Sequence, residues 1–336
     1  MRKISIILNL FLIINVSLIA QTKDSLINTS DICIRDPFIY TDTKTGVYYM
    51  YAQMDNRPVE TGGKPRQKGV EVYTSKDLKK WSMAKPVLIL PDNCWGKAAV
   101  WAPEMHEYKN KFYLFVTLTS YQQIEGLEKP KDAKDWPPFY KRGTQVFYAD
   151  NPAGPFQAFA NKAHTPENMM ALDGTLWVED DTPYMIFCNE WVQTVDGRMD
   201  IIRLKKDFSE PDSEPAILFR ASEAKWVTEI KRKVTDGPFI FKSKKNKLLM
   251  IWSSIGKGGY LQGQSISETG KINGPWKQTN KLLFKKNGGH GMIFKTLNGT
   301  LVLALHQPNN PSGKERLKLF KVKDKGDYLK ICKGRF

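Results

Sequence analysis

Cysteine is scarce in this 336-residue chain: Cys33, Cys94, Cys188 and Cys332 stand far apart, and no two form a CxxC pair. That spacing argues against a zinc site, and a chain of this length does not call for a disulfide framework. Acids are outnumbered, with 35 Asp and Glu against 51 Lys and Arg, for a formal charge of +16. The lysines lie in turns such as "KSKKNK" and "KDLKK" and more densely from Lys314 to Arg335. This is the pattern of a solvated basic surface, with an acidic polysaccharide environment as the functional alternative. No recognition motif accompanies the charge, so nucleic acid is not an expected partner. Convincing long helical periodicity is missing throughout, which turns attention to strands.

The one conspicuous apolar run opens the chain, in "MRKISIILNLFLIINVSLIAQTKD". Arg2 and Lys3 supply a basic start, Ile4 to Ile19 an apolar core, and Ala20 a small residue before polar sequence. With no stop-transfer flank, residues 1–20 read as a secretory signal peptide, although Leu18 stands where a small residue is preferred. No cysteine follows the run to carry a lipid, so no stable membrane anchor is expected. The mature protein, residues 21–336, is expected to be secreted or periplasmic, a single domain and a monomer.

Five segments then repeat one pattern. They are "RDPFIYTDTKTGVYYMYAQ", "VWAPEMHEYKNKFYLFVT", "LDGTLWVEDDTPYMIFCN", "TDGPFIFKSKKNKLLMIWSS" and "GHGMIFKTLNGTLVLALHQ". Each runs from a small or polar head through a short apolar strand and a polar turn to a more apolar strand, the pattern of a hairpin. Three intervening pieces, "KGVEVYTSKDLKKWSM", "GTQVFYADNPAGPFQAF" and "GYLQGQSISETGKINGPWKQ", read as third and fourth strands of the same unit. Five four-stranded units predict an all-β, five-bladed β-propeller.

In a propeller the first strand of each blade lines the axis, so the five heads converge. They present Asp36, Trp101, Asp173, Asp236 and His290. Three acids, an indole and an imidazole around one funnel form a set suited to catalysis, and Asp236 there faces a polar pocket instead of a core. Trp101 is the first candidate for an aromatic platform under a ligand, followed by Trp95 and Trp191, while Trp81, Trp252 and Trp276 read as packing between blades. The long polar insertion at residues 121–143 is a candidate pocket wall from which Trp136 or Tyr140 reaches substrate. Arg35 reads as a blade-packing residue, and His106 and His306 as ordinary surface or strand residues.

At these residues the sequence resembles glycoside hydrolase family 43 over essentially the whole mature chain. "RDPFIY" and "WAPEMHEYKNKFYLF" are specific together, while "ALDGTLWVEDDTPYMIF" and "VTDGPFIF" follow in the right order. The resemblance implies an exported, inverting enzyme that removes arabinofuranosyl or xylosyl units from plant-type polysaccharides. It also implies roles: Asp36 as general base, Asp173 as the acid that tunes and orients its neighbour, and Asp236 as general acid. The family usually has Glu where Asp236 stands, which shortens the donor by one methylene, roughly 1.5 Å of reach. Glu190, in "FCNEWVQ", is therefore an alternative donor, with Glu104 and Glu223 behind it. At His290 the resemblance implies contact with an axial ion, calcium or another; no organic cofactor is expected.

The leading expectation is thus an exo-acting hydrolase of α-L-arabinofuranosyl or β-xylosyl linkages. The alternatives are a galactan- or galactofuranoside-directed glycosidase and a non-catalytic glycan-binding propeller.

Overall fold

The run "LLMIWSS" is apolar on both faces of a strand, and the strand Leu248–Gly256 is accordingly buried along nearly its whole length. A sheet covered on both sides explains this, and the architecture supplies the covers. The structure, a computed structural model, describes residues 25–54, 67–131, 133–334 and 336. The expected signal peptide lies outside the described residues.

Five antiparallel four-stranded sheets follow one another along the chain. Blade one comprises Phe38–Asp42, Val47–Gln53, Gly69–Ser75 and Lys85–Ile89. Blade two comprises Ala99–Tyr108, Lys111–Gln123, Tyr140–Ala149 and Gln157–Ala158. Blade three comprises Ala171–Glu179, Thr182–Asn189, Arg198–Arg203 and Ala216–Arg220. Blade four comprises Asp236–Lys242, Leu248–Gly256, Gly259–Ser267 and Trp276–Gln278. Blade five comprises Gly289–Lys295, Leu301–Gln307, Arg316–Asp324 and Leu329–Ile331. Each first strand packs beside the next, and that of blade five packs beside that of blade one, which closes the ring. This is a five-bladed β-propeller.

One expected strand is displaced. "KKWSM" is expected as the outer strand of blade one, but Lys80–Trp81 pairs with the N-terminal Ile27–Asn28, and Lys85–Ile89 takes the outer place. The swap buries Trp81, whose Nε1 donates to Thr29 Oγ1 at 3.0 Å. The N-terminal segment also bridges to blade five, through Cys33 opposite Arg316. It therefore ties the last blade to the first just ahead of Asp36.

Apolar wedges between neighbouring blades hold the ring. Trp252 and Trp276 sit in the wedge of blades three and four, as expected, with the Trp252 ring 4.8 Å from Trp226 and 5.3 Å from Phe219. Truncating such a residue to Ala costs about 3–5 kcal/mol.

Candidate active site

The sequence places five heads on the axis; the structure resolves them into two tiers, one residue apart. In each blade one residue at the start of the inner strand has positive φ: Asp36 (50°), Ala102 (43°), Asp173 (57°), Gly237 (51°) and His290 (47°). In blades two to five it sits in a register break, between Trp101 and Glu104, Leu172 and Thr175, Asp236 and Phe239, and Gly289 and Met292. These bulges re-aim side chains toward the axis. Four of the five residues are not glycine, so the site holds backbone strain of order 1 kcal/mol at each.

Asp36, Asp173 and His290 are thus equivalent positions and form the floor. Nδ1 of His290 stands 3.1 Å from Asp36 Oδ1 and 3.7 Å from Asp173 Oδ2. Asp236 and Trp101 belong to the upper tier, each one residue before its bulge, alongside Arg35 and Leu172; all four line one axial cavity of about 670 Å³. Gly237 is required between the tiers. A Cβ there would meet the His290 ring at 2.5 Å.

A capping rule holds the floor. The bulge N–H of each blade donates to a side chain from the second strand of the preceding blade. Ala102 donates to Gln53 Oε1 (3.4 Å), Asp173 to Thr117 Oγ1 (2.7 Å), His290 to Ser253 Oγ (2.8 Å) and Asp36 to His306 Nδ1 (3.2 Å). Blade four is the exception. The equivalent place in blade three, opposite Leu172, is held by Cys188, and the Gly237 N–H donates instead to Asp173 Oδ2 at 3.1 Å.

His306 is therefore not an ordinary strand residue. It is fully buried, Nε2 lies 3.1 Å from Asn309 Oδ1, and Nδ1 lies 3.2 Å from Asp36 Oδ1 as well as from the Asp36 amide. With a proton on Nε2 it donates to Asn309 and accepts the Asp36 N–H. Arg35 departs from its expected role too. Preceding the strand instead of lying within it, Arg35 lines the cavity, ion-pairs with Glu315 at 2.6 Å and hydrogen-bonds Asn309.

These neighbours divide the acids. Burial pushes the Asp36 carboxyl up, but the charge of His290, the hydrogen bond and charge of His306 and the charge of Arg35 outweigh it and hold Asp36 well below the usual range. Burial raises Asp236 to about 7, the Asp173 carboxylate adds to the rise, and His290 and the Tyr260 hydrogen bond oppose it. Burial and the Asp36 charge push Asp173 up against the Gly237 hydrogen bond.

Glu190 also lines the cavity, at the end of the second strand of blade three, where it forms an ion pair with Arg142. Burial holds its carboxyl above the usual range, against the pull of the Arg142 charge and hydrogen bond. The Arg142 guanidinium lies 4.2 Å from the Trp101 ring centroid, so one arginine fixes both walls. Glu104 is turned to His106 at 3.2 Å, and Glu223 accepts the Arg220 N–H at 2.8 Å in a capping turn.

Trp101 and Trp191 line the axial cavity. Trp95 does not join them: its Nε1 donates to Gln145 Oε1 at 2.7 Å, and it lines a separate cavity of about 230 Å³ beyond Arg142. Trp136 is buried instead of reaching substrate. It meets Trp191 edge-on at 5.1 Å and donates to Val192 O at 2.7 Å, so the insertion braces the wall from behind. Tyr140 pairs with Gln123 at the start of its strand.

The expected ion at His290 is a hydrated one, met directly or through water, and the side-chain donors bear only on direct ligation by protein. The Nδ1 of His290 is committed to the carboxylates, and among the described residues no group of three or more His, Cys, Asp or Glu is placed to hold a metal. Calcium wants six to eight oxygens. This donor set does not by itself form a protein-ligated calcium site. All four cysteines are free.

The model of the family described as Glycosyl hydrolases family 43 matches residues 30–324. A crystal structure of an endo-arabinase from Bacteroides thetaiotaomicron is 36% identical, with a TM-score of 0.75, and covers 92% of this chain and 99% of that one. A thermostable family-43 glycoside hydrolase is 20% identical (TM-score 0.70; 90% of this chain, 93% of that one). An α-L-arabinofuranosidase from Lactobacillus brevis is 18% identical (TM-score 0.67; 92% and 98%), and these last two show the shared fold alone. No curated protein sequence matches the chain.

Proposed function

The chain belongs to glycosyl hydrolase family 43, and from that premise we propose an exported, inverting, exo-acting hydrolase of α-L-arabinofuranosyl linkages, with β-xylosyl linkages next in order. The supporting observation is the opposed state of two carboxyls on one cavity, Asp36 held ionised and Asp236 raised to about 7. Inversion needs a carboxylate that takes a proton from water and a carboxylic acid that gives one to the leaving oxygen. Asp36 takes the proton as water attacks the anomeric carbon, and Asp236 protonates the glycosidic oxygen as its bond to that carbon breaks. The Asp173 charge opposes ionisation of Asp236, and the Asp173 carboxyl, itself pushed up by burial and the Asp36 charge, fixes the backbone beside Asp236 through Gly237. Trp101 and Trp191 supply apolar faces for sugar rings.

Glu190 is the weaker donor: burial raises its carboxyl too, but the carboxyl is already engaged by the Arg142 guanidinium, whereas Asp236 carries no such ion pair. A second reading, internal cleavage of arabinan, is favoured by the similarity to the endo-arabinase.

The test is to incubate the protein with arabinan, debranched arabinan, xylan, galactan and aryl glycosides, and to follow the first-formed anomer by NMR. Inverted free arabinose supports the proposal, and inverted arabino-oligosaccharides support the second reading. Retained configuration overturns the inverting mechanism. Release from galactan alone redirects the substrate, and no release from any of them points to a glycan-binding propeller.

A further inference from the structure

Tyr260 begins the third strand of blade four and has no place in the two-tier repeat. It is nonetheless buried, lines the axial cavity and donates its hydroxyl to Asp236 Oδ2 at 2.9 Å. Its ring runs nearly parallel to that of His306 in an offset stack, with centroids 5.8 Å apart and planes 17° from parallel. On another side the ring is crowded by Gly289, where a Cβ would approach it to 2.8 Å. The phenol ring is thus packed on two sides. His306 beneath it caps the amide of Asp36, so a single stacked pair connects the two reacting carboxyls across blades one, four and five.

We propose that Tyr260 is the positioning residue of the proton donor: by occupying Oδ2 of Asp236 it assigns the transferable proton to Oδ1 and stops the carboxyl from rotating. An aspartate carboxyl turns freely about its last bond, and both oxygens compete for the proton unless one is engaged as an acceptor. A phenol that donates to Oδ2 breaks that symmetry. It also stabilises the carboxylate left after transfer, so it acts on the donor in both states. The groups that face Asp236 are Asp173 from blade three, Asp36 and Arg35 from blade one and His290 from blade five, with Tyr260 from its own blade. Of these groups it is Tyr260 that donates a side-chain hydrogen bond to Asp236.

This inference rests on the reading of Asp236 as donor, and the experiment separates the two. Tyr260→Phe keeps the stacked ring and removes the hydroxyl. Its kcat and KM are measured against pH on an arabino-oligosaccharide and on a nitrophenyl arabinofuranoside, beside wild type and Asp236→Ala. Loss of the donated hydrogen bond raises the Asp236 pKa, so the basic limb moves up by roughly one pH unit. The kcat on the oligosaccharide falls by about tenfold, well within the 10²–10⁴ span of the whole acid contribution. The nitrophenyl substrate, whose leaving group needs little protonation, is affected far less, and KM stays nearly constant. A purely structural tyrosine would lower Tm and slow both substrates alike with the limb in place. If Tyr260→Phe folds poorly, Tyr260→Met is read the same way. A leaving-group dependence in Asp236→Ala together with an unmoved limb in Tyr260→Phe overturns this proposal alone. Its absence in Asp236→Ala overturns the donor reading and this proposal with it.

Discussion

The backbone N–H of Gly237 donates to Oδ2 of Asp173 at 3.1 Å, where every other bulge in the ring is capped from a neighbour's second strand. The acid of blade three thereby takes over a structural duty and is tethered one residue from Asp236. Cys188 makes this possible, since its thiol stands where Thr117 and Ser253 offer hydroxyls and is a weak acceptor.

Cys188→Ser tests that relationship. The new hydroxyl offers Gly237 a competing acceptor, so Asp173 loses part of a hydrogen bond that lowers its pKa. A more neutral Asp173 repels the Asp236 carboxylate less, and the Asp236 pKa falls. The basic limb of kcat/KM is expected to move to lower pH, with a stability cost of about 1–3 kcal/mol for the buried hydroxyl. A limb that stays in place would show that the tether to Asp173 survives.

Asp36→Asn removes proton abstraction with almost no change in volume. Its expected kcat is at least 10²-fold below wild type on natural substrate, the low end of general-base contributions. Ligand binding to the variant, read by calorimetry, is expected to persist. A rate close to wild type would refute the assignment of Asp36 as base.

The raised Asp236 carboxyl also makes a statement about stability. A group whose folded pKa lies above its unfolded value favours folding least when ionised. Its cost is absent below the unfolded pKa near 4, grows as pH rises, and is complete above about 7. Asp236→Asn is therefore expected to melt a few °C above wild type at pH 8, with the gap closing toward pH 4. Equal melting temperatures at both pH values would mean that Asp236 ionises at no cost.

Much of this was legible beforehand. The five hairpins betrayed the propeller because a head, a turn and a doubly buried strand recur in each, and the recurrence carried Asp36, Asp173, Asp236 and His290 to one axis. Simple alignment of the heads concealed the one-residue offset, since "DP", "AP", "DG", "GP" and "HG" share a bulge but not a side chain. Tyr260, Arg142 and His306 were missed for a different reason. They come from second and third strands, and which of those residues points at the axis depends on register, which no local motif announces. His306 had one detectable signal: in the aligned hairpins it falls at the position of Gln53, Thr117 and Ser253. Trp95 and Trp136 take other places because the resemblance suggests aromatic sugar platforms without saying which side of a wall each ring faces.

The last prediction concerns the wall that Arg142 holds. This buried guanidinium ion-pairs with Glu190, stacks on Trp101, and donates from Nε to Thr119 Oγ1 at 2.9 Å. Arg142→Met leaves Glu190 buried without its partner, a change that typically costs about 3–5 kcal/mol. Glu190→Gln keeps an acceptor for the arginine and removes the charge, so it is expected to cost less. If Glu190 serves the wall and Asp236 donates the proton, Glu190→Gln raises KM through a loosened Trp101 and slows oligosaccharide and aryl substrates in the same ratio. The double variant is expected to be more stable than Arg142→Met alone, because the unpaired charge is gone, and a thermodynamic cycle over the four proteins reads that coupling. A Glu190→Gln enzyme that keeps its rate on the nitrophenyl substrate but loses 10²-fold or more on the oligosaccharide would instead move the donor to Glu190. Asp236 would then be the tuning acid, and the basic limb of the profile would belong to the Glu190–Arg142 pair.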